Sequence, residues 1–235
     1  DKIKISYDPI SYKTFCGFDN GSQGEGFIFT NSSGTSSTVG TSSNFFSSTP
    51  SGVDAVNVGE DKWVVLYLQG SEYPAVRVVS ASGTNVSYGT EVVVNSSSAS
   101  SGGSTKSDAG IAMSYDTTSS QVVVFYKNSS GDLYGKVGTI SGTDISFGSQ
   151  VGAFNNGGNA NPHPGSATYV SSKDVHVLAF DRSSDGEVFA VKTSGSGTDA
   201  TLVNNSGTAP GYAGNVVFDS SPVLKPNVFT AYDSI

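Results

Sequence analysis

One short stretch, QVVVFYK at 121–127, carries apolar side chains at odd and even positions alike. Successive side chains of a β-strand point to opposite faces of the sheet, so this strand needs cover on both faces. Similar stretches are WVVLYLQ, which begins at Trp63, and DVHVLAF, which begins at Asp174. In a two-sheet sandwich one face of each strand is exposed to solvent, so apolar and polar residues would alternate along the strand instead. The pattern therefore predicts several small sheets stacked face to face.

The unit around this strand recurs along the chain, and its period decides the fold. A tyrosine precedes the strand at Tyr7, Tyr115 and Tyr169 and returns at Tyr232, which gives a period of about 56 residues; the second copy has Asn57 near this place. In the third copy we predict strands at 110–116, 121–128, 132–140 and 145–154, joined by the turns TTSS, NSSG and SGTD. Period, strand number and two-sided burial together predict an all-β, β-propeller-like fold with about four four-stranded antiparallel blades. Tandem β-sandwich or fibre domains are the alternative.

The whole of 1–235 is predicted to be a single repeat domain. Its units are 1–53, 54–109, 110–164 and 165–227, and a further strand starts at 228–235. The fourth unit carries an insertion around 193–214, and VVFDSSPVL from Val216 is aligned with ISFGSQVGAF from Ile145. Two interpretations stay open: a ring of four units with one strand left over, or a slice of a longer array.

The composition excludes several classes of partner and site. A net charge of −8 and a pI of about 4.5 argue against nucleic acid and against anionic membrane surfaces. No apolar run approaches the roughly 18 residues of a membrane-spanning helix. The chain starts at Asp1 without a methionine, which predicts processing or a longer parent chain. Cys16 is the only cysteine, so no internal disulfide forms and its side chain is expected to pack as a small apolar group.

Chemistry-bearing residues do not fall into a catalytic or metal-binding pattern. His176 lies inside a strand and is predicted to be packed there, and no Cys/His cluster supports zinc. The stretch DRSSDGE from Asp181 begins like a calcium loop, but its twelfth position is Lys192, so a hairpin turn is favoured. A recurring aspartate, at Asp8, Asp116 and Asp233, is expected to close its own turn.

An enzyme acting on glycans is also disfavoured by the sequence. A sialidase needs several arginines to hold a carboxylate, and this chain has only Arg77 and Arg182. We therefore predict no catalytic residue, no cofactor and no metal. Two residues are candidates for a recognition loop: His163, between two prolines in NPHPG, and Tyr212, in the insertion of the fourth unit.

The third copy, AMSYDTTSSQVVVFYKNSSGDLYGKVGTISGTDISFGSQVGAF, resembles the repeat of predicted tail-fibre and virion-surface proteins of marine bacteriophages. The shared features are an S-Y-D strand, a V-V-V-x-Y strand, a G-T-x-S-G-T turn and an I-S-F-G strand, and the likeness is looser in the other copies. The resemblance implies an extracellular, non-enzymatic protein of the virion exterior: a capsid decoration, fibre or knob. It implies other virion proteins or copies of the chain as partners, together with a host surface glycan, and no catalytic residue.

Two other functions stay open, a lectin-like carbohydrate-binding β-propeller and an enzyme acting on polysaccharide. Three structural expectations follow from the repeat. Residues 122–126 should be among the most buried, no regular helix should exceed two turns, and the connections 96–107 and 155–165 should lie together at one rim.

Overall fold

The computed structural model describes residues 3–31, 36–70, 73–96, 110–127, 132–152, 163–182, 185–203 and 216–217. Those ranges contain twenty β-strands and a three-residue 3₁₀ helix at Gly197–Asp199. The expected absence of longer helices therefore holds for the described part of the chain. No helix in that part has the length and apolarity needed to cross a membrane.

The strands form four antiparallel sheets, which follow one another along the chain. The first sheet contains β1 (Ile3–Asp8), β2 (Lys13–Asp19), β3 (Gly24–Asn31), β4 (Ser37–Val39) and β5 (Ser43–Phe46). The second contains β6 (Gly52–Gly59), β7 (Lys62–Leu68), β8 (Pro74–Ser82), β9 (Asn85–Tyr88) and β10 (Val92–Val93). The third contains β11 (Ile111–Asp116), β12 (Gln121–Lys127), β13 (Leu133–Ser141), β14 (Asp144–Phe147) and β15 (Val151–Gly152). The fourth contains β16 (His163–Val170), β17 (Val175–Arg182), β18 (Asp185–Ser194), β19 (Thr201–Val203) and β20 (Val216–Val217).

Each sheet is a meander of four strands whose outermost strand is broken in two. In the third sheet, β14 and β15 both pair with β13: Phe147 lies opposite Gly138, and Val151 lies opposite Gly135. The first three strands of this sheet match the predicted ones within one residue at each end. The predicted outer strand at 145–154 is continuous, whereas the chain leaves the ladder after Phe147 and rejoins it at Val151.

The fourth sheet corrects the predicted alignment of its last strand. β20 pairs with Glu187 and Val188 of β18, which is the place that β15 takes beside β13. The stretch from Val216 is therefore the second half of the outer strand, and β19 is the first half. The predicted insertion at 193–214 is also displaced, because 193–203 continues the ordinary pattern of β18, a turn and β19. The extra residues follow at 204–215, outside the described residues.

The four sheets pack face to face in series through their innermost strands, in the order β1, β6, β11 and β16. One apolar cluster lies between each pair of neighbours, around Trp63, around Val124 and around Leu178. The central strand β12 is buried along its whole length, and residues 122–126 have no exposed surface, as predicted. Burial of both faces by two neighbouring sheets defines a β-propeller arrangement and excludes tandem sandwiches.

A glycine recurs at the point where the outer strand breaks in the first three sheets. The backbone N–H groups of Gly40, Gly89 and Gly148 each donate to a carbonyl of the third strand of the same sheet. A Cβ on Gly89 would lie 2.0 Å from the Thr143 carbonyl oxygen, and one on Gly148 would lie 1.8 Å from the Ala200 carbonyl oxygen. Both carbonyls belong to the next sheet. The absence of a side chain at Gly89 and Gly148 therefore lets neighbouring sheets approach closely.

The innermost strands are also linked by polar contacts. Lys4 Nζ lies 3.2 Å from Asp54 Oδ1, and the Met113 backbone N–H donates to Asp54 Oδ2 at 2.9 Å. Asp54 is buried, and burial raises the pKa of its carboxyl although the Lys4 ammonium opposes the shift. Three consecutive sheets therefore meet at one carboxylate.

Candidate interaction surface

The first sheet has one face that no other described part of the chain covers. Side chains of β1 alternate: Lys4 points towards the second sheet, while Ile3, Ile5 and Tyr7 are 62, 60 and 48% exposed. Residues directly opposite in neighbouring strands share a face, which extends this surface across the sheet. We define the open face by its large apolar members Ile3, Ile5, Tyr7, Phe18, Phe27, Phe29 and Val39. On the same face, Thr14 and Cys16 are buried and Glu25 lies opposite Phe18.

The open face is apolar and aromatic. The phenylalanines are half-buried and form a row, with ring centroids 5.9 Å apart for Phe18 and Phe27 and 6.4 Å apart for Phe27 and Phe29. Val39 is 62% exposed at the outer edge. Contiguous apolar surface of this kind marks a site of association in a protein, since scattered single apolar residues are the normal case.

The same face of every other sheet is covered by the preceding sheet. Met113 occupies in β11 the position that Ile5 occupies in β1, because each lies opposite the central residue of the neighbouring strand, Val124 or Cys16. Met113 is 4% exposed and packs with the second sheet. No packing of comparable extent joins the fourth sheet back to the first among the described residues.

The two recognition candidates from the sequence stay predictions. His163 is the first residue of β16, where its backbone lies opposite Asp181 in the ladder. Tyr212 and most of the connections 96–107 and 155–165 lie outside the described residues, so the proposed rim stays a prediction too.

His176 is a packed strand histidine, as predicted. It is 1% exposed, its Nδ1 lies 2.8 Å from Ser114 Oγ of the third sheet, and its ring lies 4.9 Å from the ring of Tyr169. Burial lowers its pKa to about 4, against the carboxylates of Asp116 and Asp174, which act to raise it. The residue joins two sheets as a neutral imidazole.

The recurring aspartates close turns, as predicted. Asp8 accepts hydrogen bonds from Ile10 N at 2.9 Å and Ser11 Oγ at 2.5 Å, and Asp116 accepts from Thr118 N at 2.7 Å. Burial acts to raise the pKa of Asp8, but these hydrogen bonds, together with one from the Asp61 backbone N–H at 2.7 Å, outweigh it and hold the pKa below its ordinary value. Asp233 lies outside the described residues.

The stretch with calcium-loop spacing is part of a hairpin, as favoured by the sequence. Arg182 at the end of β17 lies opposite Asp185 at the start of β18, so the two consecutive strands pair antiparallel as a hairpin. Across the described residues, no group of three or more His, Cys, Asp or Glu side chains is placed to hold a metal ion. Cys16 is buried as a free thiol, and burial raises its pKa.

A polar cluster between the first and second sheets was not anticipated from the sequence. Tyr67 donates through its hydroxyl to Glu91, whose other carboxylate oxygen accepts from Gln69 Nε2 at 2.8 Å. Arg77 Nη1 donates to the Gly89 carbonyl oxygen at 3.2 Å, and Tyr88 donates to the Ser43 carbonyl oxygen at 3.1 Å.

Two polar atoms of this cluster are buried without a hydrogen-bond partner in the described part of the chain, Arg77 Nε and Ser43 Oγ. Burial raises the pKa of Tyr88 to about 12 and raises the pKa of Tyr67 as well, so both phenols are neutral donors. A comparison of the copies of the repeat could have indicated this cluster, because equivalent positions carry different polar residues. In the third sheet, Gln150 occupies the place of Glu91 and accepts from the Tyr126 hydroxyl at 2.7 Å, so the carboxylate of the second sheet is replaced by an amide there.

No protein-family model matches the sequence, and no curated protein matches it either. Among solved structures, the chain is similar to Sqt1 of Chaetomium thermophilum, at 10% identity with a TM-score of 0.45. It is also similar to the Aleuria aurantia lectin in complex with alpha-methyl-L-fucoside, at 17% identity and 0.47, and to the β-propeller domain of Myceliophteria thermophila Cps50 (Swd1), at 7% and 0.37. The matches cover 81, 86 and 86% of this chain. They cover 43% of Sqt1, 58% of the lectin and 73% of the Swd1 domain, so the chain spans less than half of Sqt1.

Proposed function

We propose that the chain is a non-enzymatic structural and recognition module of the exterior of a bacteriophage virion. The observation that supports this function is the open face, where a wide apolar surface stands at a position that elsewhere in the molecule is buried against another sheet. A surface of this kind is suited to permanent contact with protein, because permanent interfaces are more apolar than the rest of a protein surface. The resemblance of the third repeat to virion-surface proteins supplies the setting.

The roles of the individual polar residues agree with a module that works by contact. Asp8 and Asp116 are occupied in closing turns, and His176 is occupied in joining two sheets. A general acid or base needs reach to a substrate proton, and Asp8, Asp116 and His176 are each no more than 2% exposed. The proposed partners are other virion proteins or copies of the chain.

The virion assignment is tested by labelling purified particles of the phage that encodes the chain with gold-conjugated antibody against the chain. We expect regular decoration of intact particles, at capsid, fibre or knob. A chain found only in the soluble fraction of the lysate would contradict the assignment.

The absence of turnover is tested separately. The purified chain, incubated with a panel of bacterial polysaccharides, should release no reducing ends above a buffer control. Sustained release that is abolished by a single carboxylate substitution would replace the proposed function with that of a glycan-cleaving enzyme.

A second candidate function, carbohydrate binding, is favoured by the polar cluster between the first two sheets. Arg77, Gln69 and Glu91 offer donors and acceptors of the kind that sugar hydroxyls bind, and Glu91 and Tyr88 are only half-buried. The unpaired Arg77 Nε and Ser43 Oγ are sites that a ligand or water could satisfy.

Glycan-array binding tests this candidate with a matched control. Glu91→Ala should abolish the signal, and Gln150→Ala, at the equivalent position of the third sheet, should leave it unchanged. Equal loss in both variants, or no binding by the unaltered chain, would remove carbohydrate binding at this cluster.

A further inference from the structure

The partner of the open face can be named from the way the sheets already pack. Every internal interface joins the same two kinds of surface. The first kind is the face of a sheet that packs against the following sheet, and the second kind is the face that packs against the preceding sheet. The open face is of the second kind, since its residues correspond to Val53 and Ala55 of the second sheet and to Met113 of the third. Its natural partner is therefore a surface of the first kind.

One such surface in the described chain is not packed against a following sheet, the outer face of the fourth sheet. The register of β16, β17 and β18 places Ser166, Thr168, Val177, Ala179 and Ala190 on this face, and Val188 lies opposite Ala179 in the ladder. The corresponding positions of the third sheet include Val123 and Val137, which pack against the fourth sheet. The described residues at the centre of this face are Val177, Ala179, Ala190, Ser166 and Thr168, of which Ala179 is 4% exposed.

At the existing interfaces, a glycine of one sheet lies against a large side chain of the next sheet. On the first sheet, a Cβ on Gly26 would lie 2.8 Å from the Tyr88 hydroxyl oxygen of the second sheet. On the third sheet, a Cβ on Gly135 would lie 2.6 Å from Leu202 Cδ1 of the fourth. Small residues on one face therefore accommodate large ones on the other. In the fourth sheet the position equivalent to Gly26 and Gly135 is Val188, so the proposed contact is inferred from the repeated packing of the faces and not from this glycine.

We propose that the open face of the first sheet binds the outer face of the fourth sheet of a second copy, so that copies join head to tail. This inference rests on the proposed function and deepens it by naming the partner. A second copy is the occupant that fits, because the sheets pack in series and no packing of comparable extent joins the fourth sheet to the first among the described residues. Unlike surfaces joined in this way either close into a ring or continue as a fibre.

Association is tested on the full chain by size-exclusion chromatography with light scattering. We expect the unaltered chain to form a dimer or higher oligomer at micromolar concentrations. Ile5→Asp should raise the dissociation constant of this oligomer at least tenfold, so that the monomer predominates. Val93→Asp is the matched control, because Val93 is 42% exposed on the outer edge of the second sheet, away from the open face. A monomer at every concentration, or equal weakening by both variants, would overturn the proposal.

Cross-linking identifies which two surfaces meet. A Cβ on Gly17 would lie 3.5 Å from Val53 Cγ1 across the first interface, and the corresponding pair at the proposed interface is Ala179 and Ile3. In a Cys16→Ala background, Ala179→Cys mixed with Ile3→Cys should give a disulfide-linked dimer on mild oxidation.

If another surface covers the open face, the cross-linked products differ. A linked dimer from Ile3→Cys alone means that two open faces meet, and a monomer-sized loop in the Ile3→Cys, Ala179→Cys double variant means that the chain closes on itself. Either product overturns the head-to-tail contact. Neither affects the virion assignment or the absence of turnover, which the antibody and polysaccharide experiments decide independently.

Discussion

Ile5 and Met113 occupy the same place in two copies of one repeat, yet one is 60% exposed and the other is 4% exposed. Both lie third from the start of an innermost strand, and both lie opposite the central residue of the next strand. The difference arises outside their own sheets, because the second sheet covers Met113 and no described residue group covers Ile5 in that way. The repeat therefore places an apolar side chain where a neighbouring sheet normally packs. The first sheet keeps that side chain although no described sheet packs against it there.

The largest expected effect is a contrast between two matched substitutions. Met113→Asp should lower the free energy of unfolding by more than about 3 kcal/mol, because it buries an unpaired carboxylate, and it does so beside the carboxylate of Asp54. Ile5→Asp should change the unfolding free energy of the monomer by no more than about 0.5 kcal/mol, since an exposed aspartate stays hydrated.

Urea unfolding of dilute protein, monitored by the fluorescence of Trp63, measures both variants. Similar costs for the two substitutions would mean that the first sheet is covered in solution, and the comparison would fail. A large cost of Ile5→Asp only at high protein concentration would instead point to association.

The contrast also explains what the sequence could predict. Apolar residues on both faces of β12 and β7, and the period of the repeat, were enough for the strands, their order and the propeller arrangement. These features are local, because they depend on alternation and turn chemistry within one unit. The break of the outer strands was missed, since in the first three sheets it lies at a glycine that approaches the next sheet.

The candidate surfaces were not predictable in the same way. The open face reads as an ordinary buried face, because exposure depends on which sheet lies beside it. The cluster around Arg77 and Glu91 joins strands of two sheets, and only its register brings those residues together. The predicted alignment of the fourth copy was wrong for a related reason. The strand Val216–Val217 has only two residues, which is too short for its sequence pattern to show which half of the outer strand it forms.

A second prediction concerns pH at a covered interface. The pKa of His176 is lowered by burial to about 4 from an ordinary value of 6.5, so the unfolded chain takes up a proton at a higher pH than the folded one. Stability is therefore complete above about pH 6.5 and decreases as the pH falls towards 4, by about 3 kcal/mol over the whole window.

His176→Gln should remove this part of the pH dependence, because glutamine can bond Ser114 without titrating. The raised pKa of Asp54 acts in the opposite direction, so the comparison of variant with unaltered chain is needed to isolate the histidine. Unfolding free energies at about pH 7 and about pH 4.5 should differ by about 2 kcal/mol less in the variant. An unchanged difference would mean that His176 is not buried between the sheets.

A third prediction tests how closely the covered sheets approach. Gly148→Ala should lower the free energy of unfolding by about 1–3 kcal/mol, because its Cβ would overlap the Ala200 carbonyl oxygen and force two sheets apart. Gly70→Ala is the control, since a Cβ there meets nothing within 4 Å and its backbone φ is not in the left-handed region. It should be neutral or stabilise by up to about 1 kcal/mol. Thermal unfolding of both variants decides the point, and equal destabilisation would contradict the close contact.

The smallest expected effect lies in a feature that all four sheets share, whether covered or open. The last residue of the turn between the first two strands is left-handed in every sheet, with φ of 57° at Tyr12, 55° at Asp61, 57° at Ser120 and 53° at Asp174. Glycine adopts this conformation without the Cβ clash, although it also adds freedom to the unfolded chain.

Ser120→Gly should therefore stabilise the protein by a few tenths of a kcal/mol and up to about 1. Thr117→Gly, in the same turn but without a positive φ, should destabilise by about 0.5–1 kcal/mol, because only the entropic cost applies there. Opposite signs in urea unfolding would show that the turn conformation is set within each sheet, independently of its neighbours. The same sign for both substitutions would mean that the strain is absent, and that even the turns depend on the sheet packed beside them.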